Sequence, residues 1–324
     1  MTRRKLGRSD LSIAPIVFGG NVFGWSADEK TSFMLLDAFV DAGFNAIDTA
    51  DAYSHWVPGN KGGESETIIG RWFKARGRRD EVVVFTKVGG DMGQGNTLKA
   101  DYVLRAAEDS LRRLQTDTID LYQTHFDDLT TAPEATLQAY AKLVEQGKVR
   151  VLGASNVRPE RLRESLAVSR KLGIPRYETV QPLYNLYDRG GYERDYEALC
   201  EQEQLGVINY YALARGFLSG KYRSEQDFSK SAARGAGMAK YLDARGLRIL
   251  DALDAVAGRH AATPAQIALA WLLARPSITA PIVSATSLPQ LQELLKAPDI
   301  KLGTEDVAAL NEASAAEPAP QGTD

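Results

Sequence analysis

Four side chains that could deliver a proton stand near the ends of three consecutive strand-like segments. Asp48 ends the apolar run in FNAIDTADAYS and Tyr53 follows five residues later, Lys87 ends EVVVFTK, and His125 ends TIDLYQTH. A phenol has an ordinary pKa of about 10 and becomes a better acid when a nearby ammonium, here Lys87, favours the phenolate. Asp48 would hold this ammonium in place, and His125 could hydrogen-bond the phenol or a substrate oxygen. The set predicts a proton-delivery group in which Tyr53 is the acid.

Three further strand-like segments also carry polar or aromatic groups near their ends. These groups are Ser155 and Asn156, Gln181, and Tyr210. Each residue alone has an ordinary structural explanation, such as a capped turn or a solvated side chain. Six such strand ends in succession are informative, because the carboxyl ends of barrel strands converge on the face that holds the active site. We therefore expect these groups to meet.

The elements that must position these groups are eight short strands that alternate with helices. The predicted strands are residues 13–20, 44–49, 81–87, 118–125, 148–155, 177–182, 206–212 and 278–285. Helical periodicity between them, as in Leu104, Ala107, Leu111 and Leu114, suits helices that cover a sheet. Strands with few charges and helical connections indicate parallel pairing. No GxGxxG motif follows any strand, so an α/β fold of the (β/α)8 TIM barrel type is predicted rather than a doubly wound sheet.

Additional elements are predicted at both ends of the barrel. An N-terminal β-hairpin turns at residues 7–10, and extra helices cover residues 247–257 and 304–313 near the C-terminus. Thr263 before Pro264 is a predicted helix start. The tail from residue 313 to 324 has the composition of a flexible end, and no linker divides the chain. We expect one domain over residues 1–324.

Composition excludes several classes of function. The net charge is −3, with 44% hydrophobic and 25% charged residues, so neither a nucleic-acid nor a membrane partner is expected. The single cysteine, Cys200, permits no disulfide framework and indicates a reducing compartment. No apolar segment follows the N-terminal charges, and the longest apolar run, 267–273, is too short to span a bilayer, so a cytoplasmic protein is expected. With three histidines and no HExxH motif, no metal site is expected.

Over nearly its whole length the sequence resembles the aldo-keto reductase superfamily. The matching segments are KLGRSDLSIAPIVFGG, FNAIDTADAYS, GGESETIIG, VVVFTKVG, DSLRRLQTDTIDLYQTH, GKVRVLGASN, VQPLYNLYDR and YALARGFLSGKY. The resemblance implies a (β/α)8 fold and the NAD(P)H-dependent reduction of a small aldehyde or ketone to an alcohol. It also implies that Tyr53 is the general acid, that Lys87 and Asp48 adjust its acidity, and that His125 orients the carbonyl.

The same resemblance implies residues that bind the cofactor. Ser155, Asn156 and Gln181 would bind the nicotinamide carboxamide, and Tyr210 would stack on the ring. An amide ligand needs both donors and acceptors, which Asn and Gln offer, and an aromatic face fixes the ring. In the loop after the seventh strand, the positions that match pyrophosphate contacts are Leu213, Arg215 and Gly216.

The adenine end of the cofactor site departs from the family pattern. Ser284, Thr286 and Gln290 stand at contact positions, Leu294 stands where asparagine is common, and no Lys or Arg precedes Lys296 in this segment. Basic residues of the strand-seven loop, namely Lys221, Arg223 and Arg234, could reach over instead. We therefore predict NADPH/NADP+ as cofactor, with NADH also possible. The charged loop 222–243 is interpreted either as a clasp over the cofactor or as a mere connection.

Aromatic residues in the loops beyond the strand ends predict an apolar substrate pocket. Trp25, Trp56 and Phe126 are the candidates for its wall. Asp127 and Asp128 could instead recognise the hydroxyls of a sugar-like substrate. Neither the substrate nor the oligomeric state is evident from these residues.

Two other functions remain open. The first is a non-catalytic cofactor-binding subunit similar to the potassium-channel β subunits, which resemble the same superfamily. The second is a lyase that forms a Schiff base on Lys87. A Schiff-base lysine needs a depressed pKa, and Asp48 is expected to push this pKa upward.

Overall fold

A computed structural model of the chain describes residues 2–230 and 235–315. Arg234 and residues 316–324 of the predicted tail lie outside the described residues. The last helix continues through Ser314, so the first two residues assigned to that tail are helical.

Within the described residues, ten strands form a small hairpin and an eight-stranded parallel sheet. The hairpin pairs β1 (Arg4–Lys5) with β2 (Ser12–Ile13) in antiparallel fashion. The strands of the sheet are β3 (Val17–Gly19), β4 (Ala46–Asp48), β5 (Val83–Val88), β6 (Ile119–Thr124), β7 (Val149–Ser155), β8 (Tyr177–Gln181), β9 (Gly206–Val207) and β10 (Ile282–Val283). Their order is β10-β3-β4-β5-β6-β7-β8-β9.

Backbone hydrogen bonds join the two edges of this sheet. The Thr279 amide donates to the Val207 carbonyl at 2.8 Å, and the Ile282 amide donates to the Asn209 carbonyl at 2.9 Å. A sheet closed in this way is a barrel, which satisfies the groups that an open edge would leave unpaired. The predicted (β/α)8 fold and the N-terminal hairpin are confirmed, although β3, β4, β9 and β10 are shorter than predicted.

Eleven helices are present among the described residues. They are α1 (Glu29–Asp41), α2 (Glu64–Arg76), α3 (Ala100–Leu114), α4 (Pro133–Glu145), α5 (Pro159–Leu172), α6 (Gly190–Asp195), α7 (Glu197–Glu203), α8 (Ala244–His260), α9 (Pro264–Leu273), α10 (Leu288–Leu294) and α11 (Thr304–Ser314). The predicted extra helices correspond to α8 and α11. A capping box starts α9, because Thr263 and Gln266 each accept the other's backbone N–H. Over residues 2–230 and 235–315, no helix is long and apolar enough to cross a membrane.

The inward faces of the strands form an apolar layer that closes one end of the barrel. Val17, Ala46, Phe85, Leu121 and Val151 pack there with Leu6, Leu11 and Ile13 of the hairpin, and all are buried. Strand side chains alternate between faces, so residues two positions further along point inward again. At these inward-facing positions, which lie nearer the carboxyl ends of the strands, several residues are polar.

Helices α2 and α3 approach each other closely at Gly70, so a larger residue at this position should lower the stability of the fold. A methyl group at Gly70 would lie 2.1 Å from the carbonyl oxygen of Arg113, whereas a methyl group at Gly258 in α8 would meet nothing within 4 Å. Gly70→Ala should lower the free energy of unfolding by about 1–3 kcal/mol through steric displacement. Gly258→Ala, the matched control, should raise it by about 0.5–1 kcal/mol because alanine loses less backbone entropy on folding. Urea unfolding of both variants checks this, and stabilisation by Gly70→Ala would contradict it.

Candidate active site

A polar layer lies directly above the apolar layer of the barrel. Asp48, Lys87 and Gln123 each stand two residues after an inward apolar residue of the same strand, namely Ala46, Phe85 and Leu121. Lys87 pairs in register with Gln123 on the neighbouring strand. The polar groups therefore share the barrel's carboxyl end by strand geometry.

Lys87 joins the predicted acid to a buried carboxylate. Its ammonium donates to Asp48 Oδ2, to the Thr49 carbonyl and to Tyr53 Oη, each at 2.7 Å. Lys87 is 0% and Asp48 1% exposed at the side chain. The Tyr53 hydroxyl also donates to Asp48 Oδ2 at 3.2 Å. All three protons of the ammonium are thus engaged, which fixes its position beneath the phenol.

The pKa shifts of this group differ from the sequence expectation. Burial raises the pKa of Tyr53 well above its ordinary value, and the Asp48 carboxylate adds to the increase. The expected lowering by Lys87 is therefore wrong as a net direction. Burial also lowers the pKa of Lys87, although Asp48 acts upward as predicted. Desolvation of the charged form is the largest cause in both cases, and for Lys87 it outweighs the attraction to Asp48.

His125 stands beside the phenol without hydrogen-bonding it. The two ring centroids are 5.8 Å apart in an edge arrangement, and His125 Nδ1 is buried with no hydrogen-bond partner among the described residues. Burial, followed by the Lys87 charge, lowers the pKa of His125 well below 6.5. The imidazole is therefore neutral at neutral pH, so one ring nitrogen carries a proton that it can donate.

Two glutamine side chains contact the second carboxylate oxygen of Asp48, which is Oδ1. Gln181 Nε2 donates to Asp48 Oδ1 at 2.9 Å, and Gln123 Nε2 approaches the same oxygen at 3.5 Å. Gln123 was not predicted. It lies two residues before His125 on the same inward face, so the alternation along β6 would have indicated it. These contacts leave Asp48 Oδ2 for Lys87 and Tyr53.

Asp51 is a second residue that the sequence reasoning missed. It is 3% exposed, and its Oδ1 has no hydrogen-bond partner within residues 2–230 and 235–315. Burial, and then the nearby Glu66 carboxylate, raise the pKa of Asp51 to about 8. Glu66 itself pairs with Arg113 at 2.6 Å, so that cation is already engaged.

Asp51→Asn should flatten the pH dependence of folding stability. Between about pH 4 and pH 8 the unfolded carboxyl loses its proton whereas the folded one keeps it, so wild-type stability falls as pH rises, by at most about 1.4 kcal/mol per pH unit. The asparagine side chain does not titrate and removes this contribution. Urea unfolding from pH 4.5 to 8.5 measures it, with Asp109→Asn on the exposed face of α3 as control. Parallel curves for wild type and Asp51→Asn would contradict the prediction.

A cavity of about 640 Å³ opens above the polar layer and brings the predicted cofactor residues together. Its lining includes Tyr53 and His125, and also Ser155, Asn156, Gln181 and Tyr210. Asn156 has a left-handed backbone with φ of 51°, and its Oδ1 accepts a hydrogen bond from the Tyr210 hydroxyl at 3.0 Å. Ser155 Oγ donates to the Gln181 carbonyl at 2.9 Å. Asn156 Nδ2 donates to Ser155 Oγ at 3.1 Å, so hydrogen bonds connect these four residues beside the candidate catalytic residues, with Gln181 joined through its main-chain carbonyl.

The loop after β9 lines the same cavity with strained backbone. Leu213, Arg215 and Gly216 are part of the lining. Positive φ angles occur at Tyr211 (52°), Ala214 (47°), Arg215 (59°) and Gly216 (107°). Residues other than glycine that have positive φ angles are found preferentially at ligand-binding loops and active sites. The segment therefore has the character of a binding loop.

The cavity lining also includes the residues predicted for the adenine end of the cofactor. Ser284, Thr286 and Gln290 line the cavity, together with Lys221. Arg223, by contrast, pairs with Asp254 on α8 at 2.7 Å and is absent from the cavity lining. Leu294 is buried. Of the basic residues considered, Lys221 is thus the one that the described structure brings to this cavity.

The described part of loop 222–243 packs beside the cavity. Residues 225–230 and 235–241 form short 3-10 turns, and the side chains of Tyr222, Met238 and Tyr241 are buried. A methyl group at Gly237 would lie 3.9 Å from the Arg215 guanidinium. None of the described loop residues after Tyr222 is among the cavity lining.

The predicted pocket wall is only partly in place. Trp56 and Phe126 line the cavity, but Trp25 does not; its ring packs edge-on against Trp56 at 5.6 Å. Asp127 pairs with Arg161 at 3.3 Å, and Asp128 accepts the Thr130 N–H at 2.8 Å and the hydroxyls of Thr130 and Thr131, both at 2.6 Å. Neither carboxylate lines the cavity, and Asp127 Oδ2 is buried with no hydrogen-bond partner among the described residues, so the structure gives no support to sugar recognition by them. In the described chain, no group of three or more His, Cys, Asp or Glu could hold a metal ion.

Comparisons with known proteins agree with this architecture. The model of the aldo/keto reductase family matches residues 15–315. The uncharacterized oxidoreductase YrpG of Bacillus subtilis (strain 168) is 34% identical over 315 residues, covering 95% of this chain and 94% of that protein. The aldo-keto reductase YhdN of the same organism is 31% identical over 310 residues, covering 94% and 89%. A probable voltage-gated potassium channel subunit beta of Oryza sativa subsp. japonica is 30% identical over 309 residues, covering 93% and 92%. The chain belongs to the aldo/keto reductase family and is an oxidoreductase by that membership.

Proposed function

We propose that this protein reduces aldehydes or ketones to alcohols with NADPH or NADH, and that Tyr53 protonates the carbonyl oxygen. The observation that carries the proposal is the position of one ammonium, Lys87 Nζ, at 2.7 Å from both Asp48 Oδ2 and Tyr53 Oη. This arrangement lies at the base of the cavity that holds the amide and aromatic residues described above. We further propose that residues 1–324 act as one domain.

The cofactor fits the residues present. Ser155, Asn156 and Gln181 offer donors and acceptors that suit a carboxamide, and Tyr210 offers an aromatic face. The strained segment from Tyr211 to Gly216 suits a phosphate-bearing linker, with Arg215 as the charge. A bound reduced nicotinamide would supply the hydride that this chain's side chains cannot provide.

The chain's own contribution is to deliver the proton. Because burial raises the pKa of Tyr53, the phenol keeps its proton at neutral pH and can donate it to a carbonyl oxygen. Lys87 then stabilises the phenolate through a hydrogen bond that already exists, so little reorganisation is needed. Neutral His125 can donate a hydrogen bond to the same oxygen and so fix the approach of the substrate.

The Schiff-base alternative is not favoured by this geometry. The lowered pKa of Lys87 meets one requirement of such a nucleophile. However, its side chain is 0% exposed and its nitrogen contacts three oxygen acceptors, so a substrate carbonyl has no free approach. Lys87 is better suited to supporting Tyr53.

A second candidate is a cofactor-binding subunit without turnover. The similarity to the probable potassium channel subunit beta of Oryza sativa supports it, at 30% identity over 92% of that protein. The two candidates differ in one measurable property, which is whether the bound cofactor is consumed when a carbonyl compound is added.

We expect turnover with both cofactors. A panel of aldehydes, ketones and sugars should be assayed by loss of NADPH and NADH absorbance. Because Lys221 lines the same cavity as Ser284 and Thr286, we expect kcat/KM to favour NADPH by about tenfold rather than by hundreds-fold, as one charge-assisted contact would give. Lys221→Ala should reduce this ratio towards one. If the protein binds the cofactor but consumes it with no compound of the panel, the cofactor-binding subunit is favoured. If kcat/KM with NADPH exceeds that with NADH by several hundred-fold, our interpretation of the adenine end is refuted.

A further inference from the structure

Two aromatic side chains beside the candidate catalytic rings are unusually exposed. Trp56 is 44% and Phe126 38% exposed, and both line the cavity. The Trp56 ring lies 6.3 Å from that of Tyr53, and the Phe126 ring lies 4.7 Å from that of His125. Exposed aromatic rings that line a cavity indicate a binding surface rather than core packing.

The loop that carries Trp56 is held in place before any substrate arrives. Ser54 is buried with a left-handed φ of 71°, and its hydroxyl donates to the Phe23 carbonyl at 2.7 Å. Asn60 Nδ2 donates to the Ser54 carbonyl at 3.1 Å. Trp25 packs edge-on behind Trp56 at 5.6 Å. A surface already fixed in one arrangement loses little conformational entropy when it binds a ligand.

The charge next to this surface is negative. Asp91 lines the cavity and follows Gly90, where a methyl group would lie 3.4 Å from His125 Nδ1. The Asp91 carboxylate accepts the N–H groups of Gly93 and Gly95, both at 2.8 Å, and these bonds lower its pKa. Asp91 is therefore ionised at neutral pH and would repel a substrate carboxylate.

The basic and acidic side chains that could recognise an anion or a sugar lie away from Trp56 or have other partners. Among the described lining residues, the arginine and lysine are Arg215 and Lys221, which belong to the segment proposed to bind the cofactor phosphates. Asp127 and Asp128 are held by Arg161 and by their own turn. The exposed large side chains beside Tyr53 and His125 are therefore aromatic, and Asp91 adds a negative charge to the same lining that no described residue pairs in a salt bridge.

We propose that Trp56 determines substrate specificity, and that the site prefers uncharged aldehydes or ketones with an aromatic ring next to the carbonyl. The inference rests on the proposed carbonyl reduction. With the carbonyl oxygen at Tyr53 and His125, the ring contacts Trp56 and Phe126, which flank those two residues. Offset or edge-to-face ring contacts supply the selectivity.

The test compares benzaldehyde, butanal and 4-carboxybenzaldehyde in wild type, Trp56→Leu and Trp56→Phe at saturating NADPH. In Trp56→Leu, kcat/KM for benzaldehyde should fall about tenfold, mainly through KM, whereas the value for butanal should change by less than about twofold. Trp56→Phe should retain benzaldehyde activity within about threefold of wild type, because it keeps an aromatic face. Wild type should reduce 4-carboxybenzaldehyde about tenfold less well than benzaldehyde. Equal losses for benzaldehyde and butanal in Trp56→Leu would overturn the inference.

A control and a binding measurement separate this inference from the proposed function. Leu129→Ala changes an exposed apolar residue close to Phe126 that is not among the cavity lining, and it should leave all three aldehydes unaffected. The inhibition constant of benzamide, which cannot be reduced, should rise with Trp56→Leu by the same factor as KM for benzaldehyde. If butanal is reduced but Trp56→Leu changes neither the preference for benzaldehyde over butanal nor the inhibition constant of benzamide, only the specificity assignment fails. If wild type reduces no carbonyl compound with either cofactor, the proposed function fails first.

Discussion

Tyr53→Phe should lower kcat for carbonyl reduction by about 10²–10⁴-fold, the usual contribution of a positioned general acid. The phenylalanine ring keeps the shape of the site but has no proton to donate. Lys87 loses one acceptor and keeps Asp48 and Thr49, so the fold should lose only about 1–2 kcal/mol of stability. Initial rates with a reactive aldehyde and NADPH measure the effect on kcat.

Cofactor binding distinguishes a chemical defect from a structural one. The dissociation constant of NADPH in Tyr53→Phe, followed by protein fluorescence, should stay within about threefold of wild type, since the residues proposed to bind it are unchanged. Tyr102→Phe is the matched control, because Tyr102 Oη accepts from Gln94 and the residue is not among the cavity lining. Its kcat should equal that of wild type. Full activity in Tyr53→Phe would rule out the proposed mechanism.

Lys87→Met should both destabilise the fold and abolish reduction. The substitution leaves the Asp48 carboxylate 1% exposed with only the amides of Gln181 and Gln123 and the Tyr53 hydroxyl as partners. Breaking a buried ion pair on one side costs about 3–5 kcal/mol. Without the ammonium, the phenolate that forms during proton transfer also loses its stabilising charge.

A double variant separates these two effects. Asp48→Asn combined with Lys87→Met removes both charges while the asparagine oxygen can still accept from Gln181, so most of the lost stability should return. Reduction should remain absent, because no ammonium supports Tyr53. Urea unfolding and initial rates are measured on both variants, with the partly exposed Lys148→Met as control at less than about 1 kcal/mol. Recovery of activity in the double variant would show that Lys87 is dispensable.

Much of the fold could be predicted because its signals are local. Strand and helix periodicity depend on neighbouring residues, and each of the eight predicted strands overlaps a strand of the sheet, although β3, β4, β9 and β10 are shorter than predicted. The positions of Asp48, Lys87 and Gln181 at strand ends followed from the same periodicity, because parallel strands in a barrel bring their carboxyl ends together. The alternation along β6 also contained the signal for Gln123, which was overlooked in favour of His125.

By itself, the sequence determined the order of the elements, the family motifs and which residues reach the carboxyl end of the barrel. Only the tertiary structure decided that burial raises the pKa of Tyr53 and lowers that of Lys87. It also decided that Trp56 lines the cavity while Trp25 supports it, and that Arg223 pairs with Asp254 instead of facing the cofactor site. The physical reason is that desolvation and side-chain pairing depend on distances between residues far apart in the chain, whereas periodicity depends on residues next to each other.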